Sequence, residues 1–165
     1  MTLKEKINQD FKDAFMAKEE LKVSVLRLLN SSLKNKEMEK RTKLAKAGQQ
    51  DEVILVKESQ LLDEEVLTVI GTEVKRRKDS MEQYKNGGRP ELAAQEEAEL
   101  AILAAYLPEQ MGEETVRKIV IESIKESGAA SIADLGKVMK VLMSKVKGKA
   151  DGGMVNKVVK EELGK

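Results

Sequence analysis

The stretch of this chain best suited to chemistry is Lys145-Val146-Lys147-Gly148-Lys149-Ala150-Asp151-Gly152-Gly153, where three lysines alternate with other residues beside a run of glycines. Glycine lets the backbone turn its N–H groups outward, and the start of a following helix adds the positive end of its dipole. A phosphate can sit in such a place. Lysines beside it would contact a nucleic-acid backbone without reading bases. On residue types alone, the simpler reading of the same residues is an ordinary glycine-rich turn with solvated lysines. A nucleotide P-loop is a poor match, because Gly148-Lys149 is followed by Ala150 rather than Ser or Thr, and Met143 stands where the earlier glycine belongs.

Other candidates are weaker. Lys75-Arg76-Arg77-Lys78 falls within a helical run, so its side chains fan around the axis instead of forming one patch. Arg77 lies in the apolar stripe of that run and reads as a snorkelling side chain whose methylenes cover apolar surface. Lys36, Lys40, Arg41 and Lys43 are interleaved with Glu37 and Glu39, the pattern of a salt-bridged exposed helix. Glu96, Glu97 and Glu99 read as a solvated face, and no metal is assigned to them. Phe11 and Phe15 are expected in the core, which leaves Tyr84 and Tyr106 and no stacking platform for single-stranded RNA.

Composition narrows the chemistry further. Cysteine and histidine are both absent. Thiol nucleophiles, Ser-His triads, imidazole bases and the usual zinc ligand sets go with them. No catalytic residue and no cofactor is assigned. The net charge of +1 hides a segregation: Pro90 to Val116 holds no Lys or Arg, whereas Gly136 to Lys149 carries Lys137, Lys140, Lys145, Lys147 and Lys149 with no acid. The N-terminus lacks the apolar core of a secretory signal, and no apolar run spans a bilayer, so a cytoplasmic location with no membrane partner is expected.

The elements that must position the lysines are helical. Of 165 residues, 41% are hydrophobic and 36% charged, with two Pro, two Phe, two Tyr and no Trp, which suits helices with narrow apolar stripes and long solvated faces. The fold class is all-α. Leu3, Ile7, Phe11, Ala14 and Phe15 define a short first helix. Glu19 to about Ala47, with Leu21, Val25, Leu26, Leu28, Leu29 and Leu33 on its inner face, predicts a long second one whose polar half projects from the core. A second long run from about Asp51 to Lys85 completes a helical hairpin with a mobile tip. Asn86-Gly87-Gly88-Arg89-Pro90 ends it and starts an alanine-rich helix that stops at Leu107-Pro108.

The domain boundary is placed there, with an N-terminal helical domain over 1–107 and a C-terminal three-helix module over 108–165. In the second, Gly112-Glu113-Glu114 opens a helix that Gly128 closes, Ser131 to Asp134 has the spacing of a capping box, and Asp151 caps the last helix.

In order along the chain, Arg27-Leu28-Leu29 through Leu33-Lys34-Asn35 to Glu37, Glu73-Val74-Lys75-Arg76-Arg77-Lys78-Asp79-Ser80, Tyr106-Leu107-Pro108-Glu109-Gln110, Gly136-Lys137-Val138-Met139 and Lys145 to Gly152 resemble the GatB/YqeY family, specifically its stand-alone YqeY-like members. The likeness covers nearly the whole chain. In that family the larger subunit belongs to the glutamine-dependent tRNA amidotransferase, a carbon-nitrogen ligase with glutamine as amido donor. The resemblance implies a helical, two-part fold and a tRNA-contacting C-terminal module, but no catalysis, since neither the domain that activates the aminoacyl group nor the amidase segment has a counterpart here. The expected function is a tRNA-associated accessory protein, with Lys137, Lys145, Lys147, Gly148, Lys149 and Gly152 in phosphate contact and a tRNA-handling protein as possible partner. DNA is not expected. The alternative is a helical protein-interaction adaptor with no RNA role.

Overall fold

A computed structural model describes all 165 residues: eight α-helices, one 3-10 turn and no strand. The fold is all-α. No helix is long and apolar enough to cross a membrane. The chain divides into two compact units, Met1–Tyr106 and Leu107–Lys165.

The first unit holds α1 (Leu3–Met16), α2 (Glu20–Lys46), α3 (Glu52–Glu58), α4 (Asp63–Asn86) and α5 (Pro90–Ala104). Thr2 starts α1 with a reciprocal capping box: its hydroxyl accepts from Glu5 N, and its own N–H donates to the Glu5 carboxylate at 2.7 Å. The stripe of α2 buries Val25, Leu26, Leu29 and Leu33, and α1, α4 and α5, which pack on α2, bury Ile7, Val66, Ile70 and Leu103, each of them no more than 1% exposed. Burial of each such side chain stabilises the unit by about 1.5–3 kcal/mol. Helices α2 and α4 are antiparallel, since Ser32 bonds Glu73 while Lys40 bonds Glu65.

Several expectations change. The run from Asp51 to Lys85 is not one helix, because α3 ends at Glu58 and α4 begins at Asp63. No Gly or Pro makes that break. Side chains of α2 hold it open: Lys40 donates to the Gln60 carbonyl at 3.0 Å, Glu37 accepts from Leu61 N at 3.4 Å, and Leu61 is buried. Leu62 stands at the N-cap of α4, 69% exposed. With Leu55 buried, α3 packs on α2, so the polar half of α2 does not simply project.

Phe15 is exposed, not core, with its ring 6.4 Å from that of half-buried Phe11. Arg77 does not snorkel. Its side chain is 8% exposed, and its guanidinium meets Glu73 at 3.4 Å and Glu99 at 3.3 Å. Glu99 is thereby fixed, at 18% exposure, rather than part of a solvated face. Tyr106 closes the unit by donating to Asp10 at 2.6 Å, and Lys6 lies 5.9 Å from its ring centroid.

The second unit holds α6 (Glu113–Ser127), α7 (Leu135–Val146) and α8 (Gly152–Leu163). Val116 and Val120 of α6, Val138, Leu142 and Val146 of α7, and Val155, Val158, Val159 and Leu163 of α8 form one core. Each helix buries an i, i+3/i+4 stripe, so three narrow stripes suffice. Gly128 closes α6 at φ +67, the left-handed conformation that favours glycine. At the start of α7, Ser131 makes no capping bond. Asp134 reaches back to Ala130 N at 2.9 Å, and residues 132–134 form a 3-10 turn.

Candidate nucleic-acid interface

Val146 is the last residue of α7 and a buried anchor of the core, so the lysines on either side of it point from a fixed base. Lys147 N–H still donates to the Met143 carbonyl at 3.0 Å, after which Gly148 takes φ +75 and turns the chain toward α8. Two further bonds from the segment ahead of α6 clamp that turn. Met111 N–H donates to the Lys149 carbonyl at 2.6 Å, and the Gln110 side-chain amide donates to the Gly148 carbonyl at 2.9 Å. Both carbonyls are thus drawn into the unit, while the N–H groups of Gly148 and Asp151 take no backbone partner. Gln110 and Met111 belong to the site as positioning residues, and sequence reading missed them. The only signal was that Gln110 falls in a stretch shared with the family.

Helix α8 begins at Gly152, so Gly152 and Gly153 form its first turn and not a loop. Their N–H groups have no intrahelical acceptor, as in any first turn. A Cβ at Gly152 would meet nothing within 4 Å, whereas one at Gly153 would lie 3.1 Å from the Asp151 carboxylate. Asp151 qualifies the anion-site reading. Its carboxylate accepts from Met154 N at 3.0 Å, placing a negative charge at the end of α8 where the phosphate would be received.

The six residues singled out in the sequence do not all converge. Lys145, Lys147, Gly148, Lys149 and Gly152 lie at the α7–α8 corner. Lys137 sits on α7 eight residues before Lys145, about 12 Å along the axis at 1.5 Å per residue. Lys137 pairs with Asp134 at 3.4 Å, and Lys145 with Glu126 at 2.8 Å. The Asp134 carboxyl is held below its ordinary value, chiefly by the Ala130 N–H and further by Lys137. Lys140 and Lys149 are exposed and make no ion pair. Elsewhere in the unit, Arg117 ties α6 to α8 through Glu161 and Glu162 at 2.7 and 2.6 Å and pairs with Glu113 of its own helix at 2.9 Å. Those bonds raise its already high pKa, with Glu161 the leading cause.

The profile of the Yqey-like protein family matches residues 4–163. Among individual proteins, the chain is similar to altered inheritance of mitochondria protein 41, mitochondrial, of Vanderwaltozyma polyspora, with 32% identity over 101 residues, 61% of this chain and 46% of that protein. A protein of the same name from Pyrenophora tritici-repentis is 31% identical over 107 residues, 62% of this chain and 58% of its own length. The chain therefore spans about half the length of the curated relatives it matches.

Proposed function

This chain belongs to the Yqey-like protein family, and we propose that within it the chain acts as a cytoplasmic, tRNA-associated accessory protein without a catalytic site of its own. It would resemble the non-catalytic helical and tail regions of the tRNA amidotransferase subunit, and serve a tRNA-handling partner of that kind. The observation that carries this reading is the clamped α7–α8 corner, where Gly148 turns the chain beside exposed Lys147 and Lys149 and the first turn of α8. The ion pairs of Lys137 and Lys145 do not oppose it. Exposed pairs are worth about 0–1 kcal/mol, so a phosphate can exchange for either carboxylate at small cost.

Contacts of this type are electrostatic and position the RNA without specifying sequence. The test is tRNA binding across a salt series, comparing the protein with a K145E/K147E/K149E variant of unchanged helical content. We expect weaker binding and a log K against log salt slope reduced by about two or three units. Binding that is absent from the parent protein, or unchanged in the variant, sinks the reading. A second reading, a protein-interaction adaptor, draws on α3, whose Val53 and Val56 are 78% and 45% exposed. It predicts a protein partner lost on V53D/V56D and no specific RNA binding.

A further inference from the structure

Within the first unit, α2, α4 and α5 enclose a solvent-open cleft of about 350 Å³ that has no counterpart in the sequence reading. Leu28 is its one apolar lining residue, and it is 56% exposed. Its polar groups sort into those already committed and those still free. Glu73 accepts from Ser32 and faces Arg76 and Arg77, while Glu99 faces Arg77 and accepts from Gln95. The Nε–H of Arg77, in a side chain 8% exposed, finds no acceptor at all. The Asn35 amide and the Ser80 hydroxyl make no hydrogen bond, and the half-buried Glu96 carboxylate makes no ion pair. Arg76 is 72% exposed and reaches Glu73 only at 3.7 Å.

A buried guanidinium N–H without an acceptor costs stability unless something fills the cleft and accepts from it. The free groups say what that should be. The buried unsatisfied donor is on α4, at Arg77, exposed Asn35 of α2 and Arg76 of α4 add donors beside it, and the uncommitted carboxylate comes from α5, at Glu96. A simple anion would meet three glutamates, and a simple amine would meet two arginines. A molecule carrying both charges answers each side. The volume is near the small end of ligand sites, about 300–1,000 Å³, and the polar lining gives an apolar ligand little to bury against.

We propose that this cleft binds a free α-amino acid, its carboxylate received by Arg76 and Asn35 and its ammonium by Glu96. Arg77 lies beneath, held by Glu73 and Glu99, and gives its unpartnered Nε–H to the same carboxylate. The inference is independent of the nucleic-acid reading, which concerns the second unit.

The test is a 1H–15N NMR titration of the full chain with L-serine and L-asparagine, set against propionate and propylamine, which each carry one of the two charges. Saturable shifts at Asn35, Ser80 and Glu96 with both amino acids are expected, and binding of the single-charge controls at least about tenfold weaker. Arg76→Gln and Glu96→Gln, both at the solvent side of the cleft, should each weaken binding about tenfold while the rest of the spectrum stays in place. The proposal is overturned by no saturation through millimolar amino acid, by propylamine or propionate binding as well as the amino acids, or by both variants binding like the parent.

Discussion

Arg77 on α4 lies 3.3 Å from Glu99 on α5, with a second carboxylate, Glu73, at 3.4 Å on its own helix. The three charges sit where solvent is scarce, at 8%, 18% and 13% exposure. A buried pair of this kind is weak support for stability in itself, but breaking it from one side leaves an uncompensated charge. Arg77→Met should therefore destabilise the first unit by about 3–5 kcal/mol. Adding Glu99→Gln and Glu73→Gln should recover most of that loss. Urea unfolding of the single and triple variants decides it, and a triple variant no more stable than the single would contradict this account.

Asp151 holds the first turn of α8 with a charged cap, and a neutral amide can do the same. Asp151→Asn should change stability by less than about 1 kcal/mol while removing the negative charge from the proposed phosphate position. Tighter tRNA binding at fixed salt is the expected outcome of a gel-shift titration. Weaker binding would mean that phosphate does not approach this end of α8.

Two glycines should respond with opposite signs. Gly71 lies within α4, where an added Cβ meets nothing within 4 Å, so Gly71→Ala should stabilise by up to about 1 kcal/mol. Gly128 has φ +67, and Gly128→Ala should cost about 1 kcal/mol or more because a Cβ crowds the carbonyl in that conformation. Thermal unfolding midpoints of the two variants give the comparison.

Tyr106 donates to Asp10, and burial, then the Asp10 carboxylate, raise its pKa above the ordinary value of 10.0. The raised value means that the folded chain keeps the phenol proton where the unfolded chain has lost it. The contribution is fully present below about pH 10 and lost as pH rises above it. Tyr106→Phe should cost about 1 kcal/mol at neutral pH, at the low end for a bond to a charged group because the ring is half-exposed. The gap between parent and variant in urea unfolding should narrow above pH 10, and a gap that widens there would oppose the assignment.

The apolar partners of the sequence stripes were legible only in part. Val25, Leu26, Leu29 and Leu33 are buried as their spacing requires, but Leu21 and Leu28 of the same wide stripe are 41% and 56% exposed. A stripe tells which residues face the core on average, and the neighbouring helix decides how wide a band it covers. Of the lysine corner, the sequence displayed the charges and glycines but not their clamp. Gln110 and Gly148 are 38 residues apart.

Helix existence was determined by the sequence itself, because caps and stops act within one turn. Thr2 with Glu5, Asp151 with Met154, Gly128 after α6 and Pro90 at the head of α5 each satisfy or forbid backbone groups three or four positions away. The all-α class follows from those signals and from stripes of Leu, Val and Ile without aromatic bulk. Tertiary structure alone decided the break between α3 and α4, which side chains of α2 hold open, and the exposure of Phe15. It also fixed Arg77 between two carboxylates and Gly148 beneath Gln110. These depend on residues brought together from distant parts of the chain, where the desolvation of a charge or a carbonyl is set by what packs over it rather than by its neighbours in sequence.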